Sequence, residues 1–500
     1  MNQVEKSKSQ KVKSNPHIVF LPLCLFTLLP FLSAEAQSLR SAPRLVVNVT
    51  IDQLRTDYLE YFAPLFGTDG FRKLMEEACV YDAAIYPFVP VDRASGIATI
   101  ATGTTPYYHG IISTRWLDRK TLRPVFCADD PTYYTSPWRL ATSTVGDELK
   151  VSTQGKAVVW GVAATRESAV LSAGHAANGA LWIDEKNGKW RSSAYYSTTS
   201  PEWLKAYSSL HPVEVQTSKG KNVGRAGNAA LYGSAYNDAV ADASLSVVTN
   251  AAMGKDEIPD LLSITLSASK EDVANWQVEM ESVYMSLDAT LGRLISKIET
   301  EVGVGNVLFA VTSTGYADDI QTDLSQYRIP TGTFRIDRTA NLLNMYLSAI
   351  YGQGVYVEAC HANQLYFNHQ LIEQRHLSIS DMLIRSQEFL VQCAGVGDVY
   401  TSDRLLKGNN DILRLRNGFN VTASGDIIID VKPGWQLVNE ETQETYTSRA
   451  TFIPFPIIVY GAGTKAQRIN TPVSVDRIAP TIAKAIRIRA PNACSVEPLF

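Results

Sequence analysis

Histidine and cysteine, two frequent ligands of transition metals, are both scarce in this chain. Seven histidines and six cysteines occur among 500 residues, and no two cysteines form a Cys-x-x-Cys motif. This absence argues against a zinc site built from thiolates. Basic residues are also slightly outnumbered, because 46 Lys plus Arg against 50 Asp plus Glu give a net charge of −4. We therefore expect no nucleic-acid-binding surface.

The N-terminus has the pattern of a signal peptide, which we predict to span residues 1–36. Four lysines precede an apolar run from Ile18 to Leu32, and Ala34-Glu-Ala36 has the small residues of a cleavage site. The run is short for a membrane-spanning helix, which needs about 20 residues. Removing residues 1–36, which contain four Lys and two Glu, leaves 42 basic and 48 acidic residues and a net charge of −6. We expect an exported mature chain, residues 37–500, with no transmembrane segment.

Five cysteines remain after this cleavage, so at least one has no partner within the chain. Exported proteins form disulfides in oxidising compartments. We expect Cys360 to pair with Cys393.

Apolar strand patterns alternate with amphipathic helical patterns along the mature chain. This alternation predicts an α/β fold with a mainly parallel sheet. The predicted strands are Leu45–Ile51, Ala157–Ala163, Leu261–Leu266, Val307–Thr312 and Pro456–Tyr460, and the predicted helices are Gly70–Ala78, Ala94–Ala101 and Val278–Ile298.

Two stretches interrupt this alternation and predict cap insertions within a single domain. Residues 168–259 are rich in Tyr, Ser, Ala and Gly. Residues 321–449 carry their own helical patterns at 341–350 and 380–392 and a strand pattern at 426–431. Insertions at the carboxyl ends of parallel strands usually shape a pocket.

Several segments, in a fixed order, cover nearly all of the mature chain. They are Val46-Val-Asn-Val-Thr-Ile-Asp-Gln-Leu-Arg55, Gly70-Phe-Arg-Lys-Leu74, Ala98-Thr-Ile-Ala-Thr-Gly103, His109-Gly-Ile111, Ala173 to Asp184, Ser193-Ala-Tyr-Tyr196, Tyr284-Met-Ser-Leu-Asp288 and Asp476 to Ile482. Together they resemble the bacterial phosphate-irrepressible alkaline phosphatases and the nucleotide pyrophosphatase/phosphodiesterases of the alkaline phosphatase superfamily. The resemblance implies a three-layer α/β sandwich with a mainly parallel central sheet.

In that family two zinc ions, held by carboxylates and imidazoles, stabilise the attacking and leaving oxygens of phosphoryl transfer. A Thr or Ser nucleophile lies at a helix N-terminus, where backbone N–H groups favour phosphate. The resemblance implies that Asp52 matches the first metal ligand. The nucleophile position holds Arg93, which cannot attack phosphorus.

The other matching positions also lack the family's chemistry. The Asp and His expected after the third predicted strand are missing from Ser267–Asn275, where no histidine occurs. The family's Asp-His pair matches Ser313-Thr314, and its last histidine matches Pro454. Its substrate-binding Asn, Lys and Arg match the residues Thr114, Thr165 and Glu167.

The histidine positions lead to the same interpretation without an alignment. None of the six in the mature chain lies near a segment that should supply ligands; they are His109, His175, His211, His361, His369 and His376. We interpret His109 and His175, which lie in matching segments, as structural.

Two hypotheses account for Arg93. It pairs with Asp52 and fills the space that the metals would occupy, or it makes the pocket a metal-free site for an oxyanion. Asp52 is in turn either a structural carboxylate or the ligand of one weakly bound cation. Glu167 argues against phosphate in this pocket, because like charges repel.

These observations predict an exported, non-catalytic binding or assembly protein in the periplasm or cell envelope of a Gram-negative bacterium. We expect no cofactor, and a protein or small-molecule partner that the sequence does not identify. The alternative is a phosphomonoesterase or phosphodiesterase with a rearranged or single-metal site, which would bind zinc, two ions in the complete form. A sulfate or phosphonate hydrolase of the same superfamily would need the same missing ligands.

Overall fold

The computed structural model describes residues 42–199, 201–215, 233–269, 276–316, 328–446 and 453–500. The predicted signal peptide lies outside these ranges. The described strands are β1 Leu45–Asp52, β2 Cys79–Ile85, β3 Arg115–Asp118, β4 Arg123–Phe126, β5 Asp129–Asp130, β6 Tyr134–Thr135, β7 Val159–Ala163, β8 Gly179–Ile183, β9 Trp190–Arg191, β10 Asp260–Ser267, β11 Val307–Ser313, β12 Gly332–Arg335, β13 Val357–His361, β14 Gln364–Phe367, β15 Val396–Thr401, β16 Ile427–Val431, β17 Trp435–Asn439, β18 Glu444–Tyr446, β19 Phe455–Gly461, β20 Gln467–Ile469 and β21 Val473–Ser474.

Helices follow most of these strands. The described helices are α1 Thr56–Phe62, α2 Phe71–Glu77, α3 Arg93–Thr102, α4 Pro106–His109, α5 Val145–Ser152, α6 Arg166–Ala173, α7 Glu202–Leu210, α8 Ser234–Asn250, α9 Trp276–Val302, α10 Ile336–Tyr351, α11 His369–Gln374, α12 Ile379–Leu390, α13 Ser402–Lys407, α14 Leu413–Gly418 and α15 Ile478–Ala485. Within the described residues, none of these helices combines the length and apolar character needed to cross a membrane.

A ten-stranded sheet forms the centre of the molecule. Its order is β20-β2-β19-β11-β1-β10-β7-β8-β9, and β21 also pairs with β2. The five consecutive strands from β11 to β8 are all parallel, and antiparallel pairs occur only towards its two edges. This mixed, mostly parallel α/β architecture confirms the fold predicted from the sequence.

Strand β1 shows how the sequence builds three layers. Successive side chains of a strand point to opposite faces. Leu45, Val47, Val49 and Ile51 belong to one apolar core, which includes residues of α8 and α9. Val46 belongs to the other core, which includes residues of α3, α5, α6 and α15. The polar residues Asn48, Thr50 and Asp52 alternate with the first set, so they share the face of Val46 that is covered by α3 and α6.

The predicted insertion 168–259 contains part of the layered core. Strand β8 pairs with β7 in the central sheet, and α8 contributes Val240, Val247 and Val248 to the core beneath it. Part of the stretch predicted as a cap insertion therefore belongs to the central sheet and its core. Its small residues concealed the strand, because Gly179 and Ala180 allow close packing against Trp160 without a strong β-branched pattern.

Residues 332–446 build a separate small core beside the central sheet. They form a three-stranded sheet, β12-β17-β18, and a four-stranded sheet, β13-β14-β16-β15. Helices α10 and α12 pack on these strands through Leu343, Leu347 and Leu383. The elements α10, α12 and β16 confirm the secondary structure predicted inside 321–449.

The predicted disulfide is absent from the structure. All five described cysteines are free thiols. Cys393 Sγ lies 3.8 Å from the Phe389 carbonyl, whereas Cys360 Sγ accepts from Asn439 Nδ2 at 3.6 Å. The two sulfurs therefore contact different neighbours, and the expected pairing of Cys360 with Cys393 is wrong.

Candidate functional site

The candidate site lies at the carboxyl end of β1, where Asp52 is only 1% exposed. The neighbouring strands β10 and β11 run parallel to β1, and Asp52 is in register with Ser267. Parallel strands place their carboxyl ends at one edge of the sheet, which is where ligands bind in such folds. Thr314 and Tyr316, which follow β11, and the N-termini of α3 and α6 lie around the carboxylate.

Arg93 is the first residue of α3 and points its guanidinium at Asp52. Its Nε and Nη2 each lie 2.9 Å from Asp52 Oδ2. Its Nη1 lies 3.3 Å from Glu167 Oε1 in the first turn of α6. The ion pair between Arg93 and Asp52 that the sequence predicted is therefore present, and Glu167 extends it to a second helix.

Two hydroxyl groups also donate hydrogen bonds to the carboxylate of Asp52. Thr314 Oγ1 donates to Asp52 Oδ1 at 2.6 Å, and the Tyr316 hydroxyl donates to Oδ2 at 3.3 Å. Thr314 Oγ1 also accepts from the backbone N–H of Gln53 at 3.1 Å. Both carboxylate oxygens of Asp52 thus already have partners from within the chain.

The N-terminus of α3 is closed by a second carboxylate, Asp92. Its side chain accepts from the Ser95 N–H at 2.9 Å, and Ser95 Oγ accepts from the Asp92 N–H at 3.0 Å, forming a capping box. Asp92 Oδ2 also accepts from the N–H and hydroxyl of Thr114, at 2.6 and 2.9 Å. A cation is unfavourable at a helix N-terminus. The carboxylate of Asp92, together with those of Asp52 and Glu167, offsets the charge of Arg93.

Side-chain hydrogen bonds also satisfy the backbone groups at the end of β10. Asn237 on α8 donates to the carbonyl of Ser267 at 2.8 Å and accepts from its N–H at 2.9 Å. Thr165 precedes α6, and its hydroxyl hydrogen-bonds Ser168 Oγ at 2.7 Å. A cavity of about 20 Å³ remains between these residues, Asp52 and Arg93. This volume suits about one water molecule.

The site carries more negative than positive charge. Asp52 and Glu167 both pair with the guanidinium of Arg93, and Asp92 adds a third carboxylate at the N-cap of α3. Burial acts to lower the pKa of Arg93, but the charges of Asp52 and Glu167 hold that pKa above its ordinary value. Burial raises the pKa of the nearby Cys127 thiol, and Glu167 and Asp92 raise it further. Cys127 therefore stays a protonated thiol, a poor nucleophile.

The described residues do not fit a pair of zinc ions. Across the described ranges, no group of three or more His, Cys, Asp or Glu side chains is placed to bind one metal. Of the other ligand positions, Ser313 accepts the Tyr86 hydroxyl on its carbonyl at 2.9 Å, and the Pro454 carbonyl accepts from the Thr56 N–H at 3.0 Å. The loop predicted to lack its ligands is described only as far as Ser269.

The two histidines interpreted as structural make their contacts within the scaffold. His109 is buried and hydrogen-bonds Thr99 Oγ1 through Nε2 at 3.1 Å, while its Nδ1 accepts from the Ile111 N–H at 3.1 Å. His175 Nδ1 lies 3.0 Å from Asp147 Oδ2, and its Nε2 lies 2.9 Å from the Leu140 carbonyl.

Sequence reasoning missed three partners in this site. Glu167 was interpreted only as a repulsive charge, although it binds Arg93. Thr314 and Tyr316 were not predicted to contact Asp52. Thr314 was detectable, because it directly follows β11, the strand beside β1, where a side chain with a hydroxyl can reach the neighbouring strand end.

This layered fold, with its polar cluster at the carboxyl edge of a parallel sheet, is that of the alkaline phosphatase superfamily. The family model for type I phosphodiesterase/nucleotide pyrophosphatase matches residues 46–451. The chain belongs to this family.

Individual relatives are similar to this chain over almost its whole length. Alkaline phosphatase PafA of Elizabethkingia meningoseptica is 25% identical over 94% of this chain and 96% of its own. Alkaline phosphatase PhoV of Synechococcus elongatus is 26% identical over 90% and 91%. Among solved structures, PafA superposes with a TM-score of 0.77 at 24% identity, covering 92% of this chain and 98% of its own. Murine ectonucleotide pyrophosphatase/phosphodiesterase 5 gives 0.53 at 13% identity, covering 89% and 95%.

Proposed function

We propose that this chain is a non-catalytic member of the alkaline phosphatase superfamily, exported to the cell envelope and used there for binding or assembly. The observation that carries the proposal is the position of the Arg93 guanidinium, which hydrogen-bonds the only aspartate that matches a family metal ligand. A hydrolase needs that carboxylate for a metal and needs a nucleophile beside it. In this chain Arg93 stands at the position of the nucleophile, and its guanidinium occupies the carboxylate that would bind the metal.

A solved variant of PafA supports this assignment of positions. It carries replacements of a threonine, an asparagine, a lysine and an arginine. The threonine and asparagine are as far apart in that sequence as Arg93 and Thr114 are here, and the lysine and arginine are as far apart as Thr165 and Glu167. In this chain all four positions hold different side chains, and one of them carries the opposite charge.

Electrostatics disfavour a phosphate ester in the same place. The Arg93 guanidinium is already shared between the carboxylates of Asp52 and Glu167. A phosphate dianion would have to displace a buried carboxylate from the only guanidinium of the cluster. Such exchange is unfavourable because it leaves a buried charge without its partner.

The competing function is a phosphoric ester hydrolase with a rearranged or single-metal site, in line with the names of the relatives. It would require Arg93 to leave Asp52. No contact among the described residues favours that arrangement over the one observed.

The experiment is hydrolysis of p-nitrophenyl phosphate and of bis(p-nitrophenyl) phosphate by the purified mature chain, with and without added zinc. PafA assayed in parallel serves as the positive control. We expect no turnover above buffer under any condition. Zinc-dependent turnover that disappears in Asp52→Asn would contradict the proposal and favour the hydrolase.

Export is the second part of the proposal, and it rests on the sequence of residues 1–36 alone. Protein recovered from the periplasm of a Gram-negative host should begin at Gln37 by N-terminal sequencing. Retention of the full N-terminus in the cytoplasm would contradict it.

A further inference from the structure

We propose that Arg93 is a built-in cation that takes the place of a divalent metal, and that its removal exposes a site for an oxygen-liganded divalent cation between Asp52 and Glu167. This inference goes beyond the lack of catalysis, because an inactive phosphatase fold could still keep a structural metal. If Arg93 replaces that metal, folding of the wild-type chain should be independent of metal.

The geometry places one cationic group between two buried carboxylates from different elements. Asp52 ends β1 and Glu167 begins α6, and they are 1% and 5% exposed. Arg93 spans them with Nε and Nη2 at 2.9 Å from one and Nη1 at 3.3 Å from the other. Among the described residues, no other cation forms an ion pair with Asp52 or Glu167, so Arg93 is the cation that balances them.

The donors around the guanidinium determine which cation would replace it. They are the carboxylates of Asp52 and Glu167 and the hydroxyls of Thr314 and Tyr316. All are oxygens, and across the described ranges no His or Cys is grouped with the two carboxylates to hold a metal. Oxygen ligands suit calcium and magnesium, whereas zinc prefers nitrogen and sulfur. The cavity of about 20 Å³ next to Arg93 adds space for a ligating water.

Truncation of Arg93 would leave two buried carboxylates without a counter-ion. Breaking a buried pair from one side is strongly destabilising, because the remaining charges have lost their solvent and their partner. A cation that binds the folded state but not the unfolded state restores stability by mass action. The guanidinium and a divalent cation therefore compete for the same oxygens.

The test measures the thermal unfolding midpoint of wild type and Arg93→Ala with EDTA, and then with millimolar calcium, magnesium or zinc. The wild-type midpoint should be unchanged by all of them. The midpoint of R93A in EDTA should fall by roughly 5 °C and should rise again with calcium more than with zinc.

Arg468 provides a matched control. Its guanidinium also binds two carboxylates, Asp82 and Glu60, each at 2.7 Å, but its side chain is 49% exposed. Exposed pairs contribute little, so Arg468→Ala should have a near-wild-type midpoint and no calcium response. If R93A does not fold in EDTA, Asp52→Asn combined with Arg93→Ala leaves one carboxylate and should fold without responding to calcium.

Three outcomes would overturn the inference. They are a wild-type midpoint that falls with EDTA or rises with zinc, an R93A midpoint that ignores all the cations, and a double variant that responds to calcium as strongly as R93A. A wild type that binds zinc without turnover would overturn this inference alone and leave the proposed function standing.

Discussion

At the scale of single residues, Asp52 is the position at which, in our proposal, this chain departs from a metal-dependent enzyme. The residue is retained at the end of β1, but it accepts hydrogen bonds from Arg93, Thr314 and Tyr316. A carboxylate bonded in this way is satisfied without metal, although its burial alone would be unfavourable. A matching residue at a matching position is therefore insufficient to infer a function.

Thr314→Val should lower the free energy of unfolding by about 2 kcal/mol, because it removes a hydrogen bond to a charged acceptor. The substitution also deprives the Gln53 N–H of its acceptor. Urea unfolding provides the measurement. Thr312→Val is the control, since the Thr312 hydroxyl donates to the neutral carbonyl of Pro456 at 3.0 Å and should contribute only about 1 kcal/mol. Equal effects of the two variants would contradict the assigned role.

At the scale of elements, charged side chains hold helix ends to their neighbours. Helix α5 begins with a capping box in which Thr144 and Asp147 satisfy each other's backbone N–H groups. Asp147 also accepts from the Ala176 N–H at 2.7 Å and lies 3.0 Å from His175 Nδ1. The turn after α6 is thus attached to the first turn of α5.

The pH dependence of this attachment follows from the protonation of His175. Burial acts to lower its pKa, but the hydrogen bond and charge of Asp147 hold the pKa above the ordinary value. Both ring nitrogens face acceptors, as the protonated form requires. A raised folded-state pKa stabilises the fold fully below the unfolded pKa of about 6.5, and this contribution is lost as pH rises through the folded value. Relative to His175→Gln, wild type should lose unfolding free energy on going from about pH 6 to 9.

His109 should show the opposite dependence. Burial lowers its pKa to about 3, so the folded state keeps it neutral while the unfolded chain takes up a proton below its ordinary pKa. Stability should fall as pH decreases from about 6.5 towards 3. The difference in unfolding free energy between wild type and His109→Gln measures this loss. A difference independent of pH for either histidine would contradict its assigned environment.

The elements were largely predictable from local patterns. The β-branched run before Asp52 predicted β1, and helical patterns in the sequence predicted α9, α10 and α12. Strand β8 was missed because its Gly and Ala give no such pattern. The Arg93–Asp52 pair was predictable because a cation at a helix start needs an anion nearby. The contacts of Thr314, Tyr316 and Glu167 depend on residues more than 70 positions apart in the chain, which only the sheet order brings together.

At the scale of the whole molecule, residues 332–446 are fastened to the layered core by Arg119. Its Nε donates to the Ser424 carbonyl at 2.9 Å. Its two terminal nitrogens each donate to Asp426 at 3.2 Å. Asp426 is buried and also accepts from the Phe367 N–H of β14 at 2.8 Å. One arginine thus joins the loop after β3 to two strands of the small sheet.

Arg119→Ala should loosen the small sheet and leave the central sheet unchanged. Hydrogen exchange should accelerate at the amides of β14 and β16, because local opening becomes more frequent when the buried carboxylate of Asp426 loses its guanidinium. Amides of β1 and β10 should keep their protection. Lys120→Ala, at the exposed neighbouring residue, is the control. Uniform acceleration in all four strands would contradict this assignment and indicate global destabilisation.

We propose that the Arg93 guanidinium lies where the family places its catalytic metals. Elemental analysis of the purified mature chain, after exposure to zinc and gel filtration, is the decisive measurement. We expect no stoichiometric zinc or other divalent metal. Close to two metal ions per chain, together with hydrolysis of p-nitrophenyl phosphate, would rule the proposal out.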